Sequence, residues 1–380
     1  MGKKKAALNT ESNMKEGFTP SPAGAGTVTV TQALRAGDSE EAGLLHPEKK
    51  LAEDQNETAL RPRFLGEFLG QEQMKDNLSV FMSAAKSRGE VLDHLFLIGP
   101  PGLGKTTLAQ VVANEMGGDF KHTVATALDK PKDLAGILTT LPESSVFFID
   151  EIHSLKPAIE EMLYIAMEDY EMDWVIGQGP QARTIRIPVK PFTLVGATTK
   201  AGNVAGPLIS RFGITCRFSF YEQKDMEAII RRSAEIIRVH VDGDAVPLMA
   251  ASARGTPRVA NRLLRRMRDF AQMMPEEGGR ISRKVVCEGL RRLEIDSLGL
   301  ERYDREILRM IIERYGGGPV GAETLAISIG ESVETLEDYY EPFLIQAGLL
   351  QRSPRGRMVT DLGYKHLNLA KKSSDEYGLF

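Results

Sequence analysis

The stretch Gly99–Thr107, GPPGLGKTT, sets glycines at 99, 102 and 104 ahead of a lysine and two threonines. Glycine lets a backbone wrap closely around a polyphosphate, so that successive N–H groups point inward. Lys105 is placed to reach terminal phosphates, and the Thr106 hydroxyl to ligate a divalent cation. The apolar run LFLI precedes this stretch and the helical pattern TLAQVVANEM follows it. A helix N-terminus therefore adds its favourable dipole at the same point. Further along, FFIDEIH (Phe147–His153) ends an apolar run in two carboxylates. At the C-terminal end of a buried strand, Asp150 can hold the cation shell while Glu151 polarises an attacking water. The chemistry this implies is hydrolysis of a nucleoside triphosphate with Mg2+. His153 is read as packing or orientation and given no chemical role. GATT (Gly196–Thr199) ends another apolar run with hydroxyls that could position the water or the last phosphate. SRFG (Ser210–Gly213) and GTPR (Gly255–Arg258) each add an arginine, and in the second Thr256 is expected to cap a helix with Pro257 in its first turn.

These residues need a frame. HLFLIG, VFFID, FTLVGATT and ITCRFSF read as buried strands bounded by Gly, Pro or polar residues. Helical patterns at residues 71–88 and 106–116 lie between them. The alternation predicts an α/β domain, a parallel sheet with helices on both faces. After Tyr221 the strand pattern stops, and residues 225–239 and 258–272 read as helices of a small helical domain. From about residue 297 a third unit combines helices with a terminal hairpin. The reading divides the chain into residues 1–59, 60–222, 223–296 and 297–380. The first segment has one aromatic, Phe18, and no sustained periodicity, so it is expected to be a disordered tail.

Composition narrows the partners. Net charge is −4, so contact with nucleic acid must come from local clusters. No apolar run approaches a membrane span, and no signal peptide is read at the N-terminus. Cys216 and Cys287 are the two cysteines and form no metal-binding spacing, which fits a reducing compartment. One basic cluster stands out: QRSPRGR places Arg352, Arg355 and Arg357 around a Pro-Gly turn. Here a helix starting near Asp304 buries Ile307, Leu308, Ile311, Ile312 and Tyr315. A second helix follows GGGPVG, and a third is expected to end near Pro342. Helices followed by a hairpin predict a winged helix whose wing carries the arginines to DNA, the alternative being a protein-interaction winged helix, since the domain outside the wing is acidic. A second hairpin, residues 171–189, alternates Trp174 and Ile176 on one arm with Ile185 and Ile187 on the other. These residues either pack on the parent sheet or dock a partner, and the chain's single Trp favours docking.

The order GPPGLGKTT, DEIH, GATT, SRFG, GTPR resembles the AAA+ ATPases. With RPRFLGEFLGQE, RGTPRVANRLLRRMRDFA, GGPVGAETLA and EPFLIQAGLLQRSPRGR the chain, from about Arg61 to Leu367, resembles the RuvB family, motors of Holliday-junction branch migration. The resemblance implies an AAA+ P-loop domain, a lid and a C-terminal winged-helix domain. It implies ATP and Mg2+ as cofactors, with Thr106 and Asp150 at the metal. Leu60, Arg61 and Tyr221 would border the adenine. Gly102, Gly104, Lys105, Thr106, Thr107, Thr199 and Arg258 would also bind the nucleotide, with Arg258 as the sensor in the lid. Glu168, Asp169 and Tyr170 would lie near it. Arg211 would be an arginine finger completing a neighbouring subunit's site, which requires a head-to-tail ring. The family's catalytic set thus falls on Lys105, Asp150, Glu151 and Arg211. Its partners would be duplex DNA, Holliday junctions, a RuvA-type junction-binding protein at Trp174 and Ile176, a resolvase-type nuclease of the same pathway, and further copies in a hexamer, all in the cytoplasm. The alternative is another AAA+ remodelling ATPase, of clamp-loader type, which predicts no arginine wing. A non-enzymatic DNA-binding regulator would lack the intact Asp150–Glu151 pair.

Overall fold

Alternation along the strands decides which helices cover which side of the sheet. The computed structural model describes residues 59–176 and 183–371. The expectations for the N-terminal tail up to residue 58 and for the turn at 177–182 lie outside the described residues. Along the chain run β1 (Leu95–Ile98), β2 (Phe120–Val124), β3 (Val146–Asp150), β4 (Glu171–Ile176), β5 (Arg183–Pro188), β6 (Thr193–Thr198) and β7 (Ile214–Arg217). β4 and β5 pair as an antiparallel hairpin, and the other five form one parallel sheet in the order β2-β3-β6-β1-β7. Leu95, Leu97, Val146 and Phe148 face α1 (Glu72–Arg88) and α2 (Lys105–Met116). Phe96, Phe147 and Ile149 face the opposite way, toward α3 (Pro131–Leu138) and α4 (Pro157–Glu168). A strand buried on both faces needs the near-continuous apolar run seen here. β2 departs from that rule. Its sequence, FKHTV, is half exposed at the sheet edge, so no apolar run announces it.

Four helices follow: α5 (Gln223–Ile236), α6 (Ala245–Ser252), α7 (Pro257–Gln272) and α8 (Arg283–Arg292). In α7, Ala260, Leu263, Leu264, Met267 and Ala271 make one buried stripe at helical spacing. That stripe joins the hydrophobic cluster under α1 and α2, so the lid shares a core with the sheet. Pro257 opens α7 as expected, and Thr256 occupies the N-cap position. Its hydroxyl, however, donates to Arg254 O at 3.2 Å and caps no helical N–H.

The third unit has its own core, built on Ile307, Leu308, Ile311, Leu325, Leu336, Leu344, Leu350 and Val359. Its elements are α9 (Arg302–Tyr315), α10 (Ala322–Ile329), a short turn Val333–Thr335, a wide turn Leu336–Tyr340, α11 (Glu341–Gln346), the antiparallel pair β8 (Leu350–Ser353) and β9 (Gly356–Val359), and α12 (Asp361–His366). This is a winged helix. The third helix does not stop at Pro342. The wide i→i+5 turn just before it shifts the hydrogen-bond register, so the missing proline N–H falls in the first turn of α11, where no intrahelical partner is required.

Candidate functional site

The loop after β1 and the first turn of α2 form a cradle. Gly102 has φ 80°, and a Cβ there would lie 2.8 Å from Thr256 Cγ2 and 3.1 Å from Arg258 Cβ. The start of α7 therefore sits directly on the loop, and the Arg258 N–H donates to Gly102 O at 3.3 Å. Lys105 is buried at the N-terminus of α2, its Nζ donating to Gly99 O at 2.7 Å and Pro100 O at 3.0 Å. Burial pushes its pKa down, with Asp150 and Glu151 opposing that shift and Arg258 adding to it.

β3 delivers the two carboxylates to the same cleft. Asp150 Oδ1 accepts the Glu151 N–H at 3.0 Å. Glu151 has φ 50°, a left-handed conformation that costs a non-glycine residue about 1 kcal/mol. The bend turns its carboxyl sideways, where Oε2 lies 3.2 Å from His153 Nδ1 and 3.4 Å from Thr199 Oγ1. His153 Nδ1 is also 2.9 Å from Thr198 Oγ1. His153, read from sequence as packing or orientation, thus touches the group expected to act on water.

The cleft is lined by Leu60, Arg61, Phe68, Gly102, Gly104, Lys105, Thr106, Thr107, Asp150, Glu151, Tyr221, Ile229, Arg232, Arg258 and Asn261, among others, and encloses about 1120 Å³ counting its open mouth. The lining combines apolar side chains, Leu60, Phe68, Tyr221 and Ile229, with the charged Lys105, Arg258, Asp150 and Glu151. A base against the first set and a polyphosphate against the second match this mixture. The Thr106 hydroxyl and the Asp150 carboxylate are hard oxygen donors of the kind Mg2+ takes alongside substrate phosphates and water. No group of three or more His, Cys, Asp or Glu able to hold a metal occurs among the described residues. A cation here would rely on the substrate's own oxygens.

Phe68, Arg232 and Asn261 were not anticipated. Arg232 donates to Leu60 O at 2.7 Å and lies 3.3 Å from Glu67, tying α5 to the segment that carries both residues. Its position three residues after Ile229 on one helix face was the available signal. Tyr221 donates to Leu103 O at 3.1 Å, which fixes the ring against the loop.

Five expected residues do not line this cleft. Thr199 stands beside Glu151, behind it. Glu168, Asp169 and Tyr170 lie at the end of α4 and just beyond. Tyr170 packs edge-on against Phe192. Arg211 pairs with Glu168 at 3.2 Å, donates to Pro207 O at 2.8 Å, and lies 4.6 Å over the Tyr164 ring. Its Nε is buried without a partner among the described residues.

The β4–β5 hairpin is buried at its base and exposed over residues 183–186. Met172 is fully buried opposite Ile187, while Trp174 is half-buried against the sheet core opposite the exposed Ile185. Ile176 pairs with Arg183 through the backbone, and its side chain lies outside the described residues. Trp174 therefore serves the chain's own packing at least in part.

The wing differs from expectation more. Arg357 is 12% exposed, its Nε donating to Glu341 Oε1 at 2.7 Å and its Nη2 to Glu337. Arg352 donates to Glu341 Oε2 at 2.5 Å. Glu341 is fully buried, and the two arginines supply the pairing that a buried carboxylate needs. Arg355, at the tip, is exposed and has no ion pair among the described residues. The GGPVG segment packs beneath: Val320 bridges to Arg357, and a Cβ on Gly318 would meet Arg357 O at 2.3 Å.

A phosphate cradle after β1, a carboxylate pair after β3, a helical lid closing on the cradle and an appended winged helix define the AAA+ class of P-loop ATPases. Residues 60–218 match the family described as the Holliday junction DNA helicase RuvB P-loop domain, 221–296 the RuvB AAA lid domain, and 297–368 the RuvB C-terminal winged helix domain. The Holliday junction branch migration complex subunit RuvB of Treponema denticola is 66% identical over 344 residues, covering 90% of this chain and 99% of the relative. That of Borreliella burgdorferi is 53% identical over 88% of this chain and 96% of the relative. The solved structure of the Thermotoga maritima RuvB Holliday junction branch migration motor superposes with a TM-score of 0.75 at 47% identity, over 82% of this chain and 99% of that one. The chain belongs to the RuvB family.

Proposed function

We propose that this protein is an ATP-driven motor that moves Holliday junctions along duplex DNA. The observation that carries the reading is a single cleft lined both by apolar side chains, Leu60 and Tyr221 among them, and by Lys105, Arg258, Asp150 and Glu151. Leu60, Arg61 and Tyr221 border the adenine. Gly102, Gly104, Lys105, Thr107 and Arg258 take the phosphates, and Thr106 and Asp150 hold Mg2+, which neutralises phosphate charge when bound. Glu151 polarises water, with Thr199 holding the carboxylate's other flank. Arg211, Glu168, Asp169 and Tyr170 do not line their own cleft, and the reading assigns them to a neighbour's nucleotide. That assignment makes the working unit a ring, a homohexamer, in which each site borrows its arginine finger. Arg355 leads the DNA contact, with the exposed part of Arg352 beside it. Arg357 shapes the wing from inside. The hairpin bearing Trp174 and Ile176 docks a RuvA-type junction-binding protein, and a resolvase-type nuclease is a further partner of the same cytoplasmic pathway.

The test is branch migration of a synthetic four-way junction with ATP and Mg2+, with and without a RuvA-type protein. ATP-dependent conversion of the junction into two duplexes is expected. Hydrolysis of ATP with no junction processing under any of these conditions would remove the motor reading and leave an ATPase of another purpose.

A further inference from the structure

β6 ends in Thr198 beside Glu151, and Lys200 follows two residues on. The Lys200 N–H donates to Thr198 Oγ1 at 2.9 Å, and that hydroxyl is 2.9 Å from His153 Nδ1, itself 3.2 Å from Glu151 Oε2. Glu151 Oε2 also accepts from the Thr199 hydroxyl at 3.4 Å, and Thr199 is the residue next to Lys200. The Glu151 carboxylate is held in this way by the segment that carries Lys200.

The other end of the lysine leaves the ATPase domain. Its Nζ lies 2.7 Å from Asp338 Oδ2 and 2.9 Å from Glu334 Oε1, both in the winged-helix domain. Asp338 belongs to the wide turn Leu336–Tyr340. Its neighbour Glu337 pairs with Arg357, and Glu341, just past the turn, holds Arg352 and Arg357. A contiguous path of ion pairs, backbone and hydrogen bonds thus runs from the wing to Glu151.

A second attachment of the same domain has the opposite character. Arg254, next to the Gly255–Arg258 turn of the lid, donates to Asp304 at 2.5 Å and to Gly299 O at 2.7 Å, and stacks 4.7 Å from the Phe343 ring. Its side chain is 9% exposed and that of Asp304 1%. Breaking a buried pair is costly, whereas Lys200 is 26% exposed and its two partners more so. The winged-helix domain stays with the lid, and the lysine clasp is the contact that can open.

We propose that Lys200 is a positioning residue for the hydrolytic site, through which the winged-helix domain, clasping it with Glu334 and Asp338, sets the orientation of Glu151. The proposal rests on the role given to Glu151 above. It makes the rate of hydrolysis sensitive to where the wing is held.

The experiment measures ATP turnover by the full chain with and without duplex DNA. Lys200 lines no part of the cleft, so Lys200→Met and the double variant Glu334→Gln/Asp338→Asn keep the KM for ATP. In both, the effect of duplex on kcat falls by about fivefold or more, a size usual for coupled sites. Exchanging the charges, Lys200→Glu with Asp338→Lys, restores the response. An unchanged DNA response in the Glu334→Gln/Asp338→Asn variant overturns the proposal, and so does an exchange variant that stays unresponsive. The unmodified chain is the control for the parent reading: if it hydrolyses no ATP, the assignment of the cleft and the clasp fall together, whereas failure of the variants alone removes only the clasp.

Discussion

The nucleotide cleft and the wing both gather charged residues, and they use them in opposite ways. In the cleft, Lys105, Asp150, Glu151 and Arg258 converge on open space, and the lysine is held by backbone carbonyls. In the wing, Arg357 turns inward onto Glu337 and the buried Glu341, Arg352 bonds to Glu341 while staying half exposed, and Arg355 is exposed. The first arrangement lines a cleft a ligand can enter. The second is largely complete within the chain. A charge cluster in sequence therefore reports how much charge is present, and the surrounding carboxylates decide how much of it is available to a partner.

The difference explains what was legible. A phosphate cradle is made of backbone, so the spacing Gly99–Gly104–Lys105–Thr106 fixes its geometry wherever a strand precedes and a helix follows. The parallel sheet was legible for a related reason: strands buried on both faces must be apolar throughout, and β2 escaped because the edge position relaxes that demand. Side-chain direction has no such local rule. Nothing in QRSPRGR indicates that Glu341, eleven residues before Arg352, is buried and needs two cations. The same limit hid Phe68, Arg232 and Asn261, which meet the cleft through contacts between the N-terminal segment, the phosphate loop and the lid. It also hid the contact between His153 and Glu151, which depends on the left-handed turn at Glu151. The third helix ran past Pro342 because a register shift in the preceding turn removes the need for its N–H.

The contrast can be broken or sharpened by mutation. The largest effect is expected at the open site. Arg211→Ala should leave ATP binding intact and lower turnover by about 10³–10⁵, the usual worth of an arginine finger, as read by steady-state phosphate release beside a nucleotide-binding titration. Glu151→Gln should keep ATP bound and slow hydrolysis by about 10²–10⁴, since the cradle and the Thr106–Asp150 pair remain. Single-turnover measurement gives the rate, and near-normal hydrolysis would move the base elsewhere.

In the wing, the largest loss should be of stability. Arg357→Ala leaves Glu341 buried with one partner fewer and should destabilise the winged-helix domain by about 3–5 kcal/mol, read by denaturant unfolding of the full chain. Arg357→Ala with Glu341→Leu should recover much of that loss. The smallest effect belongs to Arg355→Ala, which should keep the fold and weaken binding about equally across unrelated duplexes. Loss of one phosphate contact flattens the log–log salt dependence by about 0.9. If Arg355→Ala left the slope unchanged while Arg352→Ala reduced it, the lead given to Arg355 would pass to Arg352.

The central claim is that the cleft is incomplete within one chain and is finished by Arg211 of a neighbour. Mixing Lys105→Ala chains, which cannot hold nucleotide, with Arg211→Ala chains, which lack the finger, tests it directly. Each variant alone should be nearly inactive. In mixed rings some interfaces pair an intact cradle with an intact finger, so ATPase activity should reappear and peak at intermediate ratios. No recovery at any ratio, in assemblies shown by native mass spectrometry to contain both chains, would contradict the claim.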